Sequence, residues 1–590
     1  MESLTTDEIL IELNPFGRLQ IVFLITSAYI QFFLPMHGQI INFIGAKPDF
    51  HCSAREGYLL NESVPIVKDD DGELVFSQCE EYIDPGNSNA TQDCQSGWTY
   101  SQEYYGETII TEVWDLVCNH YPAAAETSQS IQQVGGMIGA IAFGFLADQY
   151  GRRPSFLLSV VIFDISGIGI ALSPNYIIFV VFKFFYGFGQ MAIWTTFSSN
   201  LSEYMIPKYR NRAMTVPSIP IPFGLMFMAL LAFLIRDWRY LQIAVVAPYI
   251  VGLLGFWCVF LPESLRWQLS KQKTKQAGLL VIKIAKMNRK EIPKEMFYKS
   301  NKNEVDDKIS TISGNSITSS PSKITADSNG TAPKDINSVS ENVNSNEQKG
   351  NKNEEASVAR SSTQSKYLEL FKPPVLHITI VVSLLRLTYT LVYFGFALST
   401  GRLAGNPYLN FFLSALVEAP AKIFAPFIYK WVRRTYLICF CYICCGAGLT
   451  VIIFIPQQTK SGTDLAILTT VLSLLGKFFV SVTLAGVLLL NVELFPTTLR
   501  NSGNGLTLFL ASIGAVVAPF MLYADNVVPN FSSYLMASIS FVTAFSALTL
   551  PDTRKTVQPQ NTADLKQIMN SRKKSSMGVE NNAFEEDTGL

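Results

Sequence analysis

The stretch GFLADQYGRRPS, residues 144–155, places one acid and two arginines on a short turn between two strongly apolar segments. A charged side chain is costly inside a lipid bilayer and is therefore expected where a helix leaves it. Two glycines, Gly144 and Gly151, permit a tight reversal and a close approach of neighbouring helices. The stretch predicts a turn at a membrane surface with a spanning helix on either side.

Apolar segments of similar length recur along the whole chain. Of its 590 residues, 48% are hydrophobic and 16% charged, and the net charge of -1 disfavours a highly basic nucleic-acid-binding protein. A helix needs about 20 apolar residues to cross about 30 Å of hydrocarbon. Buried helices of a large soluble enzyme are the alternative, but such helices seldom run this long without an amphipathic face. We predict an all-α membrane protein with twelve transmembrane helices, at residues 18–42, 124–147, 155–173, 177–200, 213–235, 241–261, 375–398, 408–428, 435–456, 465–490, 502–524 and 531–550.

Basic residues occur in alternate connections between these segments. They are Arg152, Arg153, Lys208, Arg210, Arg212, Lys430, Arg433, Arg434 and Arg500. The positive-inside rule assigns such connections to the cytosol. Both termini are then cytosolic, and we expect the protein in the plasma membrane.

The segment between the first two helices differs from the rest of the chain. It holds four cysteines and two glycosylation sequons, and its acids outnumber its bases. An oxidising extracellular side suits this composition, and four cysteines allow three disulfide pairings that the sequence does not separate. The disulfide candidates are Cys52, Cys79, Cys94 and Cys118, and the glycosylation candidates are Asn61 and Asn89.

A second long insertion divides the spans into six and six. Its first part, residues 271–290, is predicted as a basic amphipathic helix at the inner membrane surface, and residues 300–365 have the composition of a disordered linker. The predicted organisation is a cytosolic N-terminus (1–17), a six-helix bundle (18–263) containing an extracellular loop (44–123), a cytosolic loop (264–374), a second six-helix bundle (375–552) and a cytosolic tail (553–590).

The two sixes are related to each other by short repeats in the same order. YGRR at residue 150 matches WVRR at 431, EYMIPKYRN at 203 matches ELFPTTLRN at 493, and LPES at 261 matches LPDT at 550. Three matches at nearly equal offsets indicate a duplicated six-helix unit. Parallel repeats of this kind build transporters with a central midplane site.

The residues of the opening turn resemble the G-x-L-x-D-x-x-G-R-R turn of the major facilitator superfamily. Further segments, over nearly the whole chain, resemble solute carrier family 22: TEVWDLVC (111–118), RDWRYLQ (236–242), PESLRW (262–267), GNPYLNFFLSALVEAPAK (405–422), GKFF (476–479) and NVELFPTTLRN (491–501). The resemblance implies a twelve-helix carrier for small organic ions that works by alternating access, with its substrate site between the halves.

The sequence predicts no cofactor, no metal site and no enzyme chemistry. No phosphate-binding G-x-x-x-x-G-K-[ST] loop occurs, so we expect ion gradients to supply the energy, and a coupling ion, Na+ or H+, stays open. The expected partners are a small organic ion and the lipid bilayer, with no nucleic acid. At the C-terminus, Thr588 and Leu590 fit the S/T-x-Φ pattern that PDZ domains bind by strand addition.

Charged residues at the inner helix ends are candidates for a gate. A charge-assisted network around the opening turn would hold the inner gate shut. The alternative is that these arginines only set topology. In the second repeat, Tyr429 stands in place of Asp148 and Val432 in place of Gly151, which predicts an asymmetric lock. The gating candidates are Asp148, Gly151, Arg152, Arg153, Glu203, Arg210, Glu493 and Arg500.

Polar residues inside the predicted spans are candidates for substrate binding, because such residues are rare without a function. Glu418 and Lys422 lie four apart on one helix, so a purely structural ion pair is the alternative. In the family, the acid is typical of cation and carnitine carriers and the lysine of anion carriers, while Ser512 stands where a discriminating charge is common. The candidates are Arg386, Tyr393, Glu418, Lys422, Gln31 and Lys477. In the first half, Lys183 has Asp164 as a candidate partner.

These residues favour organic cations or carnitine-like zwitterions as substrates. Glu418 and Tyr393 would bind an ammonium group, and Arg386 or Lys422 would bind a carboxylate. Two alternatives stay open: an organic anion exchanger on the same fold, and a receptor that binds ligands on a carrier fold without transporting them.

Overall fold

The computed structural model describes residues 6–68, 74–85, 90–111, 114–118, 123–206, 209, 213, 216–257, 261–290, 369–403, 405–455, 465–496, 499–551, 553, 559, 562 and 564–566. Several predicted features therefore lie outside the described residues. They are Asn89, Arg210, the 300–365 linker, Thr588 and Leu590, and for Arg500 only the backbone is described.

The described chain is helical apart from one small domain. Its helices are α1 (Thr6–Glu12), α2 (Arg18–Gln39), α3 (Ile41–Ile44), α4 (Leu60–Ser63), α5 (Ala124–Tyr150), α6 (Arg152–Ala171), α7 (Tyr176–Tyr204), α8 (Pro220–Leu234), α9 (Trp238–Gly252), α10 (Leu265–Ser270), α11 (Thr274–Asn288), α12 (Val375–Leu398), α13 (Pro407–Trp431), α14 (Arg434–Phe454), α15 (Ala466–Leu494), α16 (Arg500–Tyr523) and α17 (Phe531–Ala547). Within the described residues, eleven helices are long and apolar enough to cross a membrane, and α17 is a shorter apolar helix of 17 residues. The prediction of a twelve-helix membrane protein is confirmed.

Local sequence signals fix where several spanning helices begin. Asn175, Asp237 and Asn406 each accept hydrogen bonds from backbone N–H groups of the first turn that follows, which satisfies donors that a helix start leaves unpaired. Gly151 separates α5 from α6 at a φ of 119°, a conformation that a residue with a side chain rarely adopts. These signals hold the turns at the helix ends short.

Two large hydrophobic cores lie in the described chain: one is built mainly from the first half and also includes Tyr408, Phe411 and Ala415 of α13, and the other is built from the second half. The halves pack together where α5 meets α16 and where α8 meets α13. Tyr408, at the start of α13, donates a hydrogen bond to the Tyr104 carbonyl at 2.7 Å, and its ring stacks on Phe43 at 5.5 Å. We call this side, which carries residues 44–123, the loop end, and the opposite side, which carries Arg152 and Arg434, the arginine end.

Residues 50–100 form a small domain of three two-stranded antiparallel sheets at the loop end. Its strands are β1 (Phe50–Cys52), β2 (Ile66–Lys68), β3 (Leu74–Phe76), β4 (Glu80–Tyr82), β5 (Thr91–Asp93) and β6 (Trp98–Tyr100), paired β1–β6, β2–β3 and β4–β5. Disulfides join Cys52 to Cys94 and Cys79 to Cys118. All four cysteine candidates are therefore confirmed, and one of the three pairings is selected.

Loss of either disulfide is expected to destabilise this domain. Each bond closes a loop of about 40 residues, for which chain entropy predicts about 4 kcal/mol of stabilisation. Cys79→Ser or Cys94→Ser should make the domain sensitive to protease on intact cells and lower the amount of surface protein. Cys444→Ser is the control, because Cys444 is a free cysteine in α14. Equal protease resistance of all three variants would contradict the prediction.

At the arginine end, α1, α10 and α11 form a layer beneath the first half. The predicted helix in residues 271–290 is confirmed as α11, but its apolar face is buried against protein rather than lipid. The Asn288 side chain donates to the Leu13 carbonyl at 2.8 Å and accepts from the Leu19 N–H at 3.0 Å. These bonds fasten α11 to the beginning of α2.

Candidate functional site

Four of the six predicted substrate residues meet in one buried cluster of the second half. The Glu418 carboxylate of α13 is fully buried and accepts a hydrogen bond from the Tyr393 hydroxyl of α12 at 3.1 Å. Two ammonium groups lie beside it, Lys422 at 3.5 Å and Lys477 of α15 at 3.8 Å. We call Tyr393, Glu418, Lys422 and Lys477 the carboxylate cluster.

Further contacts hold this cluster in place. Lys477 donates to the Ser414 hydroxyl at 2.6 Å, and its ammonium group lies 5.6 Å from the centre of the Tyr393 ring. Tyr389 stacks on Tyr393 with ring centres 5.5 Å apart. One acid against two lysines leaves the cluster with an excess positive charge, which favours a negative group on any bound molecule.

Arg386 lies in α12 but has its own partners. Its Nη1 donates to the side chain of Asn504 at 3.0 Å and to the Thr507 hydroxyl at 3.0 Å, and Asn491 donates to the same Asn504 oxygen at 2.7 Å. All these bonds use Nη1, so Nε and Nη2 have no hydrogen-bond partner within the described residues and can bind a carboxylate. Sequence reasoning missed the two asparagines and the threonine, whose only signal is a polar side chain in an apolar helix.

Two other positions considered from the sequence lie apart from the cluster. Gln31 is buried in α2 of the first half, and its Oε1 has no hydrogen-bond partner in the described part of the chain. The Ser512 hydroxyl donates to the Leu508 carbonyl of its own helix at 3.0 Å. Ser512 is uncharged, so this position adds no charge to the site.

The opening turn forms a network at the arginine end of the first half. The Arg152 guanidinium contacts the Asp148 carboxylate at 2.5 Å and the Glu203 carboxylate at 2.9 Å. Glu263 accepts hydrogen bonds from the backbone N–H groups of Arg152 at 2.8 Å and Arg153 at 3.3 Å. A carboxylate at this position compensates the positive end of the α6 dipole.

The segment after α9 contacts this network. The sequence alone had not indicated a gating role for it. Arg266 forms an ion pair with Asp7 and donates to the Glu203 carbonyl at 3.2 Å. The Trp267 indole donates to the Asp148 carbonyl at 3.0 Å. Together with Glu263, these residues belong to the PESLRW segment, whose density of polar groups beside a helix end was the available signal.

The second half has a similar ion pair with a different register. Arg434 pairs with Glu493 of α15 and donates to the Thr553 hydroxyl at 2.7 Å. Val432 and Arg433 both lie between α13 and α14, whereas one residue separates α5 from α6. The match of YGRR with WVRR is therefore shifted by one, and Arg434, the first residue of α14, is the counterpart of Arg152.

The two repeats differ at the position of Asp148, as predicted from the sequence. Tyr429, which replaces Asp148, is buried and donates to the Val482 carbonyl at 3.2 Å. Both ion pairs described above, Arg152 with Glu203 and Arg434 with Glu493, join residues of the same half. Their part in gating stays a prediction.

Comparisons with known proteins agree with this architecture. A family model described as the Major Facilitator Superfamily matches residues 119–519. Rat solute carrier family 22 member 2 is 28% identical over 98% of this chain and 98% of its own, and a Drosophila melanogaster organic cation transporter-like protein is 28% identical over 95% and 92%. Xenopus laevis solute carrier family 22 member 6-A is 27% identical over 96% and 95%. The E. coli xylose transporter XylE shares the fold at a TM-score of 0.50 and 14% identity, covering 76% of this chain and 89% of XylE.

Proposed function

We propose that this chain, which belongs to the Major Facilitator Superfamily and is a transporter rather than an enzyme, carries small organic ions across the membrane. The proposed substrates carry a carboxylate. Carnitine-like zwitterions are the preferred class. The names of its relatives, which include organic cation transporters, support organic ions as the substrate class. The carboxylate cluster carries the finer proposal.

The charges of the cluster disfavour a simple cation. Glu418 is the acid of the cluster and already contacts two ammonium groups and one hydroxyl. A simple cation would have to displace a lysine from Glu418 and leave that lysine unpaired in the membrane interior, which is costly. A zwitterion avoids this cost, because its carboxylate pairs with the displaced Lys422 while its ammonium group binds Glu418.

Aromatic and cationic groups around the cluster fit both ends of such a substrate. The stacked rings of Tyr389 and Tyr393 offer faces that attract an ammonium group. Arg386 adds two N–H donors for a carboxylate. An organic anion is the second candidate, since the excess of lysine over acid would bind a lone carboxylate as well.

Uptake of three radiolabelled probes that differ in charge tests this proposal. Carnitine, tetraethylammonium and glutarate would be offered to cells that express the chain and to matched cells that do not. We expect carnitine to accumulate most and tetraethylammonium least. Highest uptake of tetraethylammonium would overturn the proposed class, and highest uptake of glutarate would select the organic anion candidate.

The proposed orientation places the loop end outside the cell, both termini in the cytosol and the protein in the plasma membrane. In that orientation the C-terminal Thr588 and Leu590 are within reach of a cytosolic PDZ domain. The contacts at the loop end then support a state closed to the outside, from which the carboxylate cluster would open towards the cytosol.

Glycosylation tests the orientation. Asn61 is exposed in α4 of the loop domain, and a sequon is modified when it lies on the lumenal side. We expect digestion with a glycosidase to lower the apparent mass of the wild-type protein. The double variant with Asn61→Gln and Asn89→Gln should not show this decrease. A wild type that shows no shift would contradict the assignment.

A further inference from the structure

A buried acid in the first half has no partner among the described residues that would balance its charge. Asp164 lies in α6, about 18 Å along the helix from Arg152 at the usual rise per residue, which is near the middle of the membrane. Its side chain is 6% exposed, and both carboxylate oxygens are buried without a hydrogen-bond partner among the described residues. An unpaired carboxylate in such a place takes up a proton rather than stay charged.

Lys183 does not supply the missing charge, contrary to the sequence-based expectation. Its ammonium group is fully buried in α7 and donates to the Gln132 side chain at 3.3 Å. It also lies 5.6 Å from the Phe179 ring and 5.9 Å from the Tyr186 ring. Lys183 and Asp164 are thus held apart as two separate buried ionisable groups.

Titratable groups from three further helices lie beside the part of α6 that carries Asp164. The ring of the preceding residue, Phe163, packs against Tyr186 of α7, Tyr249 of α9 and His37 of α2, with ring centres 4.5, 5.0 and 4.6 Å apart. The Tyr186 hydroxyl is hydrogen-bonded to Nδ1 of His37 in α2, and Nε2 of His37 is buried without a hydrogen-bond partner in the part of the chain described. The Lys183 ammonium group lies 5.9 Å from the centre of the Tyr186 ring. Buried Asp and His side chains inside a membrane are typical of proton relays.

We propose that Asp164 is a proton-binding site and that the proton is the ion coupled to transport. A hard metal cation takes several oxygen ligands, usually with more than one carboxylate, and among the described residues no group of three His, Cys, Asp or Glu side chains could hold a metal ion. A proton needs only the carboxylate. In the loop-end-closed state Asp164 holds the proton as a neutral acid, and in the alternate state it releases the proton to water.

Hydrogen bonds connect Lys183 and His37 with the helix that lies at the interface between the halves. Gln132 of α5 accepts from Lys183 and donates to the His37 carbonyl at 3.0 Å. Two residues earlier in α5, Ser130 donates to the Val516 carbonyl of α16 at 2.8 Å. In this proposal a change of charge at Asp164 acts electrostatically on Tyr186 and His37, and the bond from Gln132 to the His37 carbonyl passes the effect to α5, the helix that contacts the second half. A zwitterion carries no net charge that the membrane potential could drive, so a proton gradient would supply the energy for its accumulation.

Infrared spectroscopy of the purified full chain tests proton binding without any substrate. We expect the wild type to show, at neutral pH, the carbonyl stretch of a protonated carboxylic acid that Asp164→Asn lacks. Ser166→Ala is the matched control on α6, because the Ser166 hydroxyl bonds to its own helix at 2.7 Å. Asp164→Glu, which should move the band, serves if Asp164→Asn does not reach the membrane. Identical carboxylic acid bands in the wild type and Asp164→Asn would overturn the proposal.

Uptake into proteoliposomes tests the coupling, which rests on the proposed function. A gradient of one pH unit should support up to about tenfold accumulation of carnitine by the wild type when one proton moves with each molecule. Asp164→Asn should still exchange carnitine but lose this accumulation. Gradient-driven accumulation by Asp164→Asn would overturn the coupling. Absence of exchange by the wild type would instead refute the proposed substrate class and leave the infrared result as the test of the proton site.

Discussion

Glu418→Gln is expected to lower carnitine uptake, normalised to surface protein, by about 100-fold or more. The substitution removes the acid that faces Lys422 and Lys477 and leaves two ammonium groups uncompensated inside the membrane. Removing one partner of a buried ion pair typically costs about 3–5 kcal/mol. The same change also removes the group proposed to bind the ammonium end of the substrate. Both uptake and thermal stability should therefore fall.

A second substitution separates these two effects. Glu418→Gln combined with Lys477→Gln returns the cluster to its original net charge and leaves one uncompensated lysine instead of two, so part of the lost stability should return while uptake should not. Tyr393→Phe is the milder comparison, because it removes one hydrogen bond to a charged group, worth about 1.5–3 kcal/mol. Full uptake by Glu418→Gln would show that Glu418 and Lys422 form a structural pair only.

Arg434→Ala is expected to lower the free energy of unfolding by about 2–4 kcal/mol, because it leaves the largely buried Glu493 carboxylate unpaired. Thermal unfolding can be followed with a thiol-reactive fluorescent dye, since buried Cys439, Cys441 and Cys445 in α14 become accessible on unfolding. The loss of an ion pair at the arginine end should also slow transport.

Arg433→Ala is the matched control for this prediction. Arg433 is adjacent in sequence and hydrogen-bonds the exposed Tyr436 hydroxyl at 3.3 Å. If Arg434 is the structural counterpart of Arg152, Arg434→Ala should resemble Arg152→Ala, and Arg433→Ala should have a much smaller effect. A larger effect of Arg433→Ala would restore the register suggested by YGRR and WVRR.

The spanning helices were predictable because membrane thickness imposes a length and a composition that local sequence displays. The same applies to contacts within one helix, such as Glu418 with Lys422, which follow from a spacing of four. The cysteines were identifiable by type and location, but their pairing was not, since it depends on how β1 to β6 bring distant residues together.

Contacts between helices escaped prediction for a similar reason. Tyr393 and Lys477 were candidates, yet nothing in the sequence placed them beside Glu418, because packing between α12, α13 and α15 decides that. The one-residue difference between the turns at Gly151 and at Val432 was invisible, since both repeats keep two arginines. Asp164 and Lys183 were paired by charge alone, whereas the structure turns Lys183 towards Gln132.

Counterflow in proteoliposomes tests the central claim, transport of an organic zwitterion, most directly. Purified full-length protein would be reconstituted, the vesicles loaded with unlabelled carnitine and then diluted into a trace of labelled carnitine. A carrier that alternates access must show a transient accumulation of label above its equilibrium level, and this overshoot should be absent in Glu418→Gln. Binding of labelled carnitine without any overshoot would contradict the account and indicate a receptor built on a carrier fold.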